Sequence, residues 1–72
     1  MRVRALLAER AHVVADLANV EQGVKDMQIL LARGAIARDR AEAVLAQCAE
    51  ELKRLNERLA HIDESLPLLK AL

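Results

Sequence analysis

Few side chains in this sequence could do chemistry. The histidines are His12 and His61, the one thiol is Cys48, and Ser65 is the one hydroxyl, with neither Thr nor Tyr present. Two imidazoles joined by Glu57 or Glu64 could approach a metal ion. The closed His and Cys shell of a structural zinc site is absent, however, and both histidines fall outside the apolar pattern, so they read as surface residues. A reactive thiol needs an electropositive, partly exposed setting. Cys48 is followed by Ala49, Glu50 and Glu51 and falls on an apolar stripe, so it reads as a small packing residue. Ser65, close before Pro67, reads as a capping or solvent-facing hydroxyl. No Gly-rich phosphate loop, CxxC or HExxH spacing is present. Neither catalysis nor a metal, a cofactor or a small-molecule substrate is expected.

Charge offers one cluster. Arg33, Arg38 and Arg40 gather about a turn, diluted by Asp39 and Glu42, and could contact the phosphates of RNA or DNA. No aromatic residue is available to stack on a base. The carboxylates read as an exposed helix face: Glu50 and Arg54 form a favourable (i, i+4) pair, and Lys53 and Glu57 the less favourable order.

The composition limits the elements that could position these groups. The chain has 72 residues, eleven basic and eleven acidic, with a net charge of zero; 54% of the residues are apolar and none is aromatic. That is one domain at most. Zero net charge gives no general pull toward nucleic acid or a membrane surface. The aliphatic content argues against disorder, and two glycines with one proline are too few turn residues for an all-β fold. A lone cysteine allows no intrachain disulfide. The apolar stretch near the start is broken by Glu9 and Arg10, well short of the roughly 7–15 residues of a secretory signal. No run approaches the roughly 18 apolar residues of a membrane span. A cytoplasmic protein without a membrane partner is the default expectation.

Glycine and proline divide the chain. Gly34 can take the left-handed conformation that closes a helix. Asp39, with Glu42 three residues on, offers an N-cap and capping box for a second helix. Gly23 reads as an interior glycine costing about 1 kcal/mol against Ala. Pro67 predicts an end or kink near Ser65. The spacing therefore predicts helix one over about 3–33, a turn over 34–39, helix two over about 40–65, and an apolar tail over 66–72.

The periodicity then fixes the fold class. Val3, Leu6, Arg10, Val13, Leu17, Val20, Val24, Met27 and Leu31 alternate steps of three and four. So do Leu45, Cys48, Leu52, Leu55, Leu59, Ile62, Leu66 and Leu69. These are heptad seams, and a short connection forces them antiparallel: an all-α, two-helix coiled-coil hairpin. A turn near Ile36 pairs residues whose numbers sum to about 72, placing Leu17 opposite Leu55, Val13 opposite Leu59, and Arg10 opposite Ile62 within reach of Asp63.

A hairpin has no enclosed core, and chains below roughly 70–80 residues usually oligomerise or carry staples. Helix one has apolar residues to spare: Leu7 and Val14 beside the seam, and Ala8, Ala11, Ala15 and Ala18 on another face. Leu68, Leu69 and Leu72 add an apolar tail. The expectation is a homodimer forming a four-helix bundle through helix one, with the tail leucines left as a candidate surface for another partner; a hetero-complex in which helix one meets another protein would give the same pattern. Its expected function is that of a small adaptor, regulator or inhibitor binding another protein. The layout resembles the Rop-type RNA-binding bundle, a short antiparallel hairpin that dimerises. The aromatic of that family's RNA face is missing, so only its architecture carries over. The alternatives are an RNA- or DNA-associated regulator using Arg33, Arg38 and Arg40, and a structural subunit of a larger assembly such as a phage particle.

Overall fold

In the structure, a computed structural model that describes residues 2–71, two long helices lie side by side. They are α1 (Arg2–Ala32) and α2 (Arg38–Lys70), and each packs against the other. The rod they form measures 55 × 15 × 12 Å.

The seam decides which face each helix buries. Val13, Leu17, Leu55, Ile62 and Leu66 form the buried cluster, and Val3, Leu6, Val20, Leu52 and Leu59 pack against it. Every other seam residue, Cys48 included, is at least half-buried. Ala41 is fully buried at the start of α2 and extends the seam by one further step of four before Leu45.

Arg10, the polar seam member, behaves as its chemistry requires. It is only partly exposed, and its Nε donates to Asp63 Oδ1 at 2.8 Å. A second cross-helix pair joins Arg58, whose Nε donates at 2.8 Å, to Glu9 Oε1. In heptad terms Glu9 and Arg58 both occupy position g, one before a seam residue at a. Antiparallel helices bring g against g along one flank and e against e along the other, so this pair is a direct signature of the antiparallel arrangement.

The turn is a Schellman motif. Gly34 has φ 71°, its N–H bonds to the Leu31 carbonyl at 3.1 Å, and the Ala35 N–H bonds to the Leu30 carbonyl at 2.9 Å. Ile36, half-buried, and Ala41 occupy the two positions of a hydrophobic staple around the start of α2.

Both ends of α2 differ from the sequence expectation. Helix two begins at Arg38, and its N-cap is Ala37, which has no side chain able to cap. Asp39 and Glu42 therefore form no capping box. Asp39 lies inside the first turn, where Oδ1 accepts from the Arg40 N–H at 3.0 Å and satisfies one free amide from within the helix. At the other end α2 does not stop near Ser65 but runs through Pro67 to Lys70, so residues 66–70 belong to the helix. Pro67 is exposed and lies off the seam, so the hydrogen bond it cannot make is lost on a face open to water. Leu66, buried, and Leu69, half-buried, tie the continuing turn to the seam.

Candidate functional site

The groups able to do chemistry stay apart. His12 and His61 are both exposed. Among the described residues, no group of three His, Cys, Asp or Glu side chains converges on a point where a metal ion could sit. Ser65 spends its hydroxyl on its own helix, donating to the His61 carbonyl at 2.9 Å. On the outer face of α2, Arg54 pairs with Glu51 at 3.4 Å, not with Glu50 as the spacing suggested. A shallow hollow of about 310 Å³ beside that pair is lined by Gln47, Glu50, Glu51 and Arg54, polar side chains throughout.

Arg33, Arg38 and Arg40 are exposed at the turn, and among the described residues none of them is in an ion pair. Their placement has a cost. Arg38 and Arg40 lie in the first turn of α2, where the helix dipole disfavours cations by about 0.3–1 kcal/mol each; Asp39 between them offsets part of this.

The apolar residues expected to form interfaces divide into two surfaces. Leu7 and Val14 are 46% and 42% exposed, and Ala8, Ala11, Ala15 and Ala18 are exposed as well. Leu7 and Val14 hold heptad position e, Ala11 and Ala18 position b, and Ala8 and Ala15 position f. These are neighbouring positions on the helix wheel, so all six form one continuous apolar arc on the e flank of α1. The arc ends at Ala18, because Glu21, Gln22 and Lys25 carry the same positions onward.

Leu68 and Leu69 are not part of that arc. Leu68 is 71% exposed, and with Leu69 it lines a hollow of about 450 Å³ that, among the described residues, Arg2, Ala5, Leu6 and Ser65 also line. Those residues hold positions c, d and g, which places the hollow on the flank of the Glu9–Arg58 pair, opposite the α1 arc. Leu72 lies outside the described residues. Two further exposed aliphatics escaped the sequence reading: Ile29 at 47% and Leu30 at 40%. They stand beyond the polar interruption at 21–28, near the turn, where their own spacing gave no stripe to follow.

No helix of the described residues is long and apolar enough to cross a membrane. Compared with known proteins, the chain matches no family model, no curated protein and no solved structure.

Proposed function

We propose that this chain is a non-catalytic protein-interaction module, a small homodimeric adaptor, regulator or inhibitor that binds another protein through apolar helix surface. The observation that supports this reading is the pair of apolar surfaces on opposite flanks of the rod. An adaptor needs one surface to hold its own copy and another to hold its target. The arc on α1 and the hollow around Leu68 supply two that do not overlap. Surfaces of this kind mark partner sites, and an apolar groove between helices accepts a partner helix.

Affinity capture from the protein's own host tests this, comparing the wild type with Leu68→Glu. The expected result is a protein partner retained through moderate salt by the wild type and lost by the variant, whose helicity and solution mass stay unchanged. A second reading rests on Arg38 and Arg40, exposed at a helix end whose dipole disfavours them: an RNA- or DNA-associated regulator. Recovery of nucleic acid alone, released by moderate salt and abolished by changing Arg33, Arg38 and Arg40 to Ala, would overturn the protein-binding reading in its favour.

A further inference from the structure

We infer that the occupant of the α1 arc is α1 of a second copy of this chain, running antiparallel, with the two-fold axis level with the His12–Val13 step. This rests on the homodimeric reading above and goes beyond it by fixing the contact face, the direction and the register.

The arc is self-complementary in one register only. Along positions b and e the flank reads Arg4, Leu7, Ala11, Val14, Ala18, Glu21. Laid antiparallel on itself about that axis, Leu7 meets Ala18 of the second copy, Ala11 meets Val14, and Arg4 meets Glu21. Each apolar layer then sets a large side chain against an alanine, which fills space without crowding and lets the helix axes approach closely. Each end of the strip closes with opposite charges. Arg4 and Glu21 are both exposed, and among the described residues neither is in an ion pair within the hairpin. The alternating b-to-e pairing is the layer geometry that antiparallel coiled coils use. A parallel pairing would set Arg4 on Arg4 and Glu21 on Glu21, with like charges opposed at both ends.

The exposed surface of the hairpin matches this need. The chain exposes 5630 Å², whereas a compact monomer of 8.0 kDa exposes about 4,450 Å² by the scaling of surface with mass. The difference, about 1,200 Å², exceeds the roughly 800 Å² that each partner gives up in a standard interface. Because α2 turns charged residues outward, the assembly has α1 and its copy as a central spine, with the two α2 helices outside it.

Charge reversal and a distance measurement test the register. Arg4→Glu and Glu21→Arg each place like charges at both ends of the strip, and each is expected to weaken self-association on the order of tenfold in low salt. Mixing the two variants, or combining both changes in one chain, is expected to restore it. With Cys48→Ala as background, a spin label at Lys25→Cys is expected to lie about 37 Å from its copy along the axis, from a 1.5 Å rise per residue. A label separation of about 10 Å, the interaxial distance of a parallel pair, would overturn the register while leaving the homodimer standing. So would a dimer indifferent to charge reversal at both positions. A wild-type chain that stays monomeric would overturn both the register and the homodimer.

Discussion

A side chain's place in this molecule follows from where its number falls in the alternation of three and four. Leu55 is buried between α1 and α2 within the cluster that includes Leu17. Leu55→Ala removes three buried carbons and leaves a cavity that the rod can close only in part, so we expect a loss of about 2–5 kcal/mol, read from the urea midpoint. Gly23 makes the opposite case. A Cβ added there meets nothing within 4 Å. Gly23→Ala is expected to raise stability by about 0.5–1 kcal/mol through helix propensity and a less flexible unfolded chain; a lowered melting temperature would show that the position is covered. The reach of Arg10 to Asp63 was legible in the sequence, because the register sum placed the two groups together. The Glu9–Arg58 pair was not. It joins residues 49 apart, and nothing local marks either; only the antiparallel flank rule shows that two g positions meet. Ala41 was missed because an alanine is a weak apolar signal and this one lies inside a supposed cap region.

Helix ends are decided by competition between local chemistry and the seam: local chemistry closes α1, and the seam sets both ends of α2. Gly34 was readable, since a positive φ at the end of a heptad pattern has one usual meaning, and the Schellman bonds follow from it. Asp39 and Glu42 formed a convincing capping box on paper. The burial of Ala41 at a seam position sets the start of α2 at Arg38, which carries Asp39 into the helix interior. Pro67 shows the same priority. Its local preference ends a helix, but Leu66 and Leu69 belong to the seam and their burial holds the chain helical past it. Pro67→Ala restores an amide donor at an exposed position, and we expect a gain of about 1–3 kcal/mol with an unchanged slope against urea. Truncation after Ser65 is expected to destabilise the hairpin, since it removes Leu66 from the core. A truncated chain with the wild-type urea midpoint would show that the last turn contributes nothing.

For the whole molecule the governing fact is shape. A rod of 55 × 15 × 12 Å built from two helices exposes 5630 Å² and buries few side chains completely. The hairpin itself was legible from period and turn alone. The separation of its apolar residues into two flanks was not, because Pro67 set residues 66–72 apart as a tail, and Leu68 takes a heptad position on the opposite flank only once α2 continues to Lys70. The surplus surface of α1 accounts for the central claim, that two copies associate along residues 4–21 to make the smallest stable unit. Sedimentation equilibrium of the wild-type chain, from low to high micromolar concentration with helicity followed in parallel, tests it most directly. The account predicts a mass near 16 kDa, about twice the 8.0 kDa chain, and a melting temperature that rises with concentration, as mass action requires. A fully helical 8.0 kDa monomer across that whole range, melting at one fixed temperature, would contradict it.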